Sequence, residues 1–200
     1  MTLAELKTQI EGDLHRTDIS AQVSTAISGA IAHYSRERFW FLEGQATISA
    51  SASQTWYTAP TDLKAFDTVL ATVNGALTPL IHTHYAEIAE KDTGDYTGIP
   101  SEYAYYQDQL RFYPVPDAAY IITINYHKKL SDLSAGGSNS WTTDGSDLIR
   151  FRAEWDIYQN YLKAPENAMV VKQSEMDAYM SLLRENTGRL AVGRLRKSDW

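Results

Sequence analysis

Residues Leu110–Tyr126 read LRFYPVPDAAYIITINY. Two runs of aromatic and β-branched residues flank Pro114-Val115-Pro116-Asp117. Such runs suit the half-buried, pleated surface of a strand. Neither proline can donate a ladder hydrogen bond, so both are expected in the turn. Tyr120, Ile122, Ile124 and Tyr126 then share one face, because successive side chains alternate across a strand. The stretch is the second half of an antiparallel meander.

The same texture extends upstream. Glu102–Tyr106 and Gln109–Tyr113 read as a tight hairpin through Gln107-Asp108. Phe66–Val73 and Leu77–His82 flank Asn74-Gly75, which supplies the two positive-φ residues of a type I′ turn. ATISASASQTWYTAP (46–60) alternates, is rich in Ser and Thr, and ends at a proline. Tyr85–Lys91 reads as one short helix, and Gly94, Gly98 and Pro100 as a loop. Five to seven strands between residues 44 and 130 predict a small antiparallel sandwich or barrel.

Both ends of the chain have helical period. Thr2 and Glu5 have capping-box spacing, Leu3, Leu6 and Ile10 follow, and Gly12 is placed to close the helix. Asp18 is expected to cap a second helix whose stripe is Ile19, Val23, Ala26, Ile27, Ala30 and Tyr34. Phe39-Trp40-Phe41 reads as a core plug. Ser131–Ser146 reads as a polar loop with one Trp. Asp147–Leu162 carries Leu148, Phe151, Trp155, Tyr158 and Leu162 at helical spacing. Pro165 suits the first turn of a last helix with the stripe Met169, Met176, Tyr179, Met180 and Leu183, closed by Gly188. The expected fold is α+β. Residues 1–43 and 131–187 form a small helical bundle, 44–130 an inserted β-module, and 188–200 a basic C-terminal arm.

Composition narrows function mainly by exclusion. The chain has no cysteine, so it offers no disulfide framework, thiolate metal site or thiol nucleophile. The N-terminus is too acidic for a signal peptide, and no run approaches the ~18 apolar residues of a membrane helix. A soluble, non-membrane protein is expected. Nucleophile elbow, phosphate loop and dinucleotide fingerprint are all missing. His82 and His84 share a strand face without a third ligand at metal spacing. The carboxylates read as caps and solvated faces. No catalytic residue, metal or cofactor is expected. Tyr103, Tyr105, Tyr106, Tyr113, Tyr120 and Tyr126 crowd the central strands. They suit a core or protein contact better than base or sugar stacking, because the body is acidic and a nucleic-acid groove needs Lys and Arg.

Charge is uneven. Residues 184–200 hold five basic and two acidic residues, net +3, leaving −10 for the rest of a chain whose total is −7. Arg189, Arg194, Arg196, Lys197 and Trp200 are the expected partner-binding residues, because Arg and Trp dominate interface hot spots and the tail would meet acidic surface; the alternative reading is a solvated, disordered end, the default for termini.

Three segments in order resemble the head-to-tail adaptor (connector) proteins of tailed bacteriophages. They are AQVSTAISGAIAHYSRERFWF running into strands, LRFYPVPDAAYIITINYHKKLSDLS with its Tyr-Pro-x-Pro turn, and SDLIRFRAEWDIYQNYLKAPENAMVVKQSEMDAYMSLLREN. The usual Lys-Asp-Pro-Glu break of that family is here Lys163-Ala164-Pro165-Glu166. The resemblance implies a structural virion protein at the head-tail junction, assembled in the host cytoplasm. It also implies a homo-oligomeric ring, commonly of twelve copies, between the portal protein and tail or nozzle components. DNA would pass through the ring without sequence-specific binding. The competing readings are a carbohydrate- or ligand-binding β-module and a peptidoglycan hydrolase.

Overall fold

The structure, a computed structural model, describes residues 1–92, 96–130, 133 and 136–192, the last three by their backbone alone. It is α+β, with six helices and ten strands among the described residues. The chain divides into two compact units, Glu43–Lys129 and Met1–Leu42 with the chain from Leu130 onward.

The β-unit holds two four-stranded sheets. The first has the order β1-β10-β3-β4, formed by Glu43–Ala50, Tyr120–Lys128, Leu63–Val73 and Ala76–Pro79, all antiparallel. The second has the order β2-β8-β7-β5, formed by Trp56–Thr58, Gln109–Tyr113, Glu102–Tyr106 and Ile81–His82. Both hairpins turn as the sequence predicts. Asn74 and Gly75 have φ of 50° and 80°, and Gln107 and Asp108 have 49° and 58°. Ile122, Ile124, Val69 and Ala71 share one core with Leu110, Phe112 and Tyr103 of the second sheet. Two open sheets over one core make a sandwich-like unit, with no closed barrel.

Three expectations change here. Leu110–Tyr126 is not half of a meander: its two strands enter different sheets, β8 between β2 and β7 and β10 between β1 and β3. Leu77–His82 is not one strand: β4 stops at Pro79, Leu80 turns into the core, and β5 crosses to pair parallel with β7. Nor is Pro116 confined to a turn. Val115–Pro116 forms β9, paired parallel with β6 (Thr97–Gly98). The proline is tolerated because the bonding N–H groups are those of Val115, to Tyr96 O, and Asp117, to Gly98 O, each at 3.3 Å. Gly98 thus lies in a strand, while Gly94 falls outside the described residues.

The short helix α3 (Tyr85–Lys91) packs on β7 and buries Ile88. Leu110 and Phe112 point into the core, so Arg111 between them faces outward. There it pairs with the buried Asp92 and lies 5.4 Å from the Trp56 ring and 5.9 Å from that of Tyr85. Trp56 and Tyr85 thereby tie the strand to the helix through one guanidinium.

In the helical unit α1 (Leu3–Asp13) has the expected capping box, with Thr2 N–H donating to Glu5 Oε2 at 2.8 Å and Glu5 N–H to Thr2 Oγ1 at 3.2 Å. Gly12 lies inside the last turn; His15, with φ 51°, takes the left-handed position beyond it. Helix α2 (Ser20–Tyr34) buries the whole predicted stripe. Its cap position is Ile19, without a side-chain bond, because Asp18 is held by Arg16 through two 2.6 Å contacts. The plug is real: Phe39 and Phe41 stack at 5.3 Å, and Trp141 edges onto both.

Trp141 comes from the expected loop, which contains α4 (Ser140–Thr143) capped by Asn139 and Thr142. Gly145 leaves room for it, since a Cβ there would stand 3.1 Å from Trp141 Cε3. Helix α5 (Ser146–Asp156) continues as a π turn at Ile157–Tyr161 and packs against α1, α2 and α6. Helix α6 starts at Pro165 as predicted but runs through Gly188 to Val192. Its phase also differs: Ala168 and Glu175 are buried, whereas Met169, Met176 and Met180 are exposed.

Candidate interaction surfaces

The expected docking residues begin at the end of α6. Arg189 lies 3.5 Å from the Trp40 ring centroid and pairs with Glu185 at 2.8 Å. One turn earlier, Asn186 Oδ1 accepts from Trp40 N–H at 2.8 Å and Asn186 Nδ2 donates to Arg38 O at 3.0 Å. Arg189 is thus engaged within the subunit and fastens the base of the tail. Arg194, Arg196, Lys197 and Trp200 lie outside the described residues.

Between α2, α5 and α6 sits a buried polar node that composition did not reveal. Glu175, 1% exposed, accepts from the Tyr34 hydroxyl, from Lys172 Nζ at 2.7 Å and from Arg152 Nη1 at 3.4 Å. Burial pushes its carboxyl up, but the bonds from Lys172 and Tyr34 and the nearby cations outweigh this and hold it below the usual range. Burial and the bond to Glu175 push the Tyr34 hydroxyl up. The carboxylate is therefore ionised and fully committed to structure.

Two open grooves flank this node and meet at His33. One, of about 380 Å³, runs along α2 past Gly29, Ala32 and Arg36 to Arg152 and Asp156 of α5. The other, of about 240 Å³, lies between His33 and Lys172, Met176 and Tyr179 of α6. Partial burial and then the Arg152 guanidinium push the His33 imidazole down; Glu175 opposes this, and Lys172 and Arg36 add to it.

A second buried carboxyl, Glu154, stands on α5. Burial, then a hydrogen bond and the charge of Asp13, push it up to about 8. Arg150 Nη1 lies 3.2 Å from Asp13. This pair does not suit glycoside cleavage. Catalytic carboxyls stand ~5–9.5 Å apart across a cleft, whereas these two share a hydrogen bond and Glu154 is buried.

Among the described residues no three His, Asp or Glu side chains gather as metal ligands. His82 packs on Tyr103 at 5.2 Å, and His84 caps α3 through Nδ1, which accepts from Ala86 N–H. Tyr103 and Tyr126 belong to the sandwich core, which removes them from any stacking platform. No described helix is long and apolar enough to cross a membrane.

A family model described as SU10 adaptor protein matches residues 1–197 of the chain. Among curated proteins none matches it.

Proposed function

The chain belongs to the SU10 adaptor protein family of phage structural proteins, and on that premise we propose that it is a head-to-tail adaptor that assembles as a ring between portal and tail components. An adaptor acts through contact with other virion components. The match across nearly the whole chain carries the reading. A ring of about twelve copies would surround the DNA channel. The net charge of −7 supports passage of DNA, because an acidic wall repels phosphates and lets the duplex slide. In the tail, Arg194, Arg196, Lys197 and Trp200 are the proposed contacts to acidic surface on the portal or a neighbouring copy. They extend from a base that Arg189 and Asn186 fasten to the Arg38–Trp40 turn.

The test is assembly on purified portal, followed by light scattering and negative-stain imaging. Portal-bound rings are expected. Deletion of residues 193–200 should weaken their formation, more at low than at high salt. A chain that never associates with portal at micromolar concentration would overturn the adaptor reading. Equal assembly of the truncated chain at both salts would remove the tail from it.

A further inference from the structure

We propose that the groove on α2 is the seat for α6 of a neighbouring copy, with Met169 and Val170 entering beside Gly29 and Ala32. This rests on the ring reading above and specifies which surfaces meet. The outward side of α2 carries small residues, Thr25, Ser28, Gly29 and Ala32. Thr25 and Ser28 turn their hydroxyls back onto the carbonyls of Ala21 and Ser24, at 3.1 Å each. Their donors are used locally, which leaves small aliphatic surface. Gly29 is the telling residue. A glycine inside a helix weakens it, and nothing in the subunit requires one here, since a Cβ at Gly29 would meet no atom within 4 Å. What such a position permits is close approach of another backbone.

The complementary surface is on the same molecule. Met169 and Val170 are 76% and 70% exposed, the extreme values among the large apolar side chains described. Acidic Glu166, exposed one turn before them on α6, is opposite in sign to Arg36 along the groove, where Arg152 is paired with Glu175 and stands with Asp156. Knobs and hole lie on different helices, so each copy offers one to each neighbour. Used in that head-to-tail way, with one neighbour on each side, the contact is heterologous, the kind that closes into rings.

The chain has no cysteine, so engineered thiols report only on each other. Two variants, Ala32→Cys and Val170→Cys, are mixed, assembled on portal and oxidised. Cross-linking of 32 to 170 between copies is expected. Cross-linking of Ala32→Cys to itself, or none in intact particles, overturns the seat. Gly29→Leu, whose Cβ meets no atom of the subunit within 4 Å, extends an isobutyl group into the groove. It should fold with undiminished thermal stability yet raise the concentration needed for assembly at least ~10-fold, the scale of one lost close contact. Arg36→Glu should do likewise and be restored by Glu166→Arg. If wild type forms particles and Gly29→Leu forms them equally well, this seat is wrong and the adaptor reading stands. If wild type forms none, both fall.

Discussion

Single buried polar residues set the chemistry of the helical unit, and Glu154 and Glu175 do so in opposite ways. Glu175 is surrounded by donors and stays ionised. Glu154 is buried beside another carboxyl and keeps its proton to about pH 8. In the unfolded chain Glu154 titrates near 4.5, so between those values the folded state binds the extra proton. Stability from protonated Glu154 is therefore full at acid pH and is lost as pH rises toward 8. Arg150, Asp13 and Tyr158 stand nearest, and of these only Arg150 favours the ionised form. Glu154→Gln keeps the shape and a donor for Asp13. Near pH 8 it should be more stable than wild type by roughly 1–3 kcal/mol, the gap closing toward acid pH. Urea denaturation across that range measures it. Parallel stability curves for the two proteins would show that Glu154 is ionised in the fold.

Elements whose signals are local were legible in the sequence. The Asn74-Gly75 hairpin is the clearest, because a two-residue turn fixes register without help from distant residues. Gly75 sits at φ 80°, with open space around its Cα. Gly75→Val should cost about 1–2 kcal/mol through backbone strain alone, and thermal unfolding at fixed pH checks this. No loss would mean that the turn relaxes to another type. The α2 stripe was readable for the same reason, whereas the expected meander was not: β8 and β10 enter different sheets, because the partners of β10 are the distant strands β1 and β3.

Helix α6 was misphased because polar partners select its buried side. Tyr34 and Arg152 engage Glu175, and the Arg38–Trp40 turn engages Asn186, leaving the methionines outside. Trp141 was hidden because its helix is a single turn; the Asn139-x-x-Thr142 spacing was the signal for it. The α2 groove needs α5, far away in the sequence, to form its other wall, and has no linear signature. Its one trace in the sequence was Gly29 within an otherwise regular helical stripe.

The whole molecule has two hydrophobic cores. One joins α1, α2 and α5 to the Phe39, Phe41 and Trp141 plug; the other joins the two sheets. Each core draws on residues of its own unit, and the only sign of that separation along the chain is the change from helical to alternating period near residue 43. Separate cores should unfold as separate cooperative units. Phe112 is fully buried at the centre of the sandwich. Phe112→Ala leaves a cavity and should cost about 3–5 kcal/mol there. Native-state hydrogen exchange reads the two units independently. Amides of β8 and β10 should lose at least ~100-fold in protection, while those of α5 keep theirs, because no atom of the helical core has moved. Ile149→Ala should give the reverse pattern, with α2 and α5 exposed and the sheets unchanged. Equal loss in both units from either substitution would mean that the chain unfolds as one cooperative body.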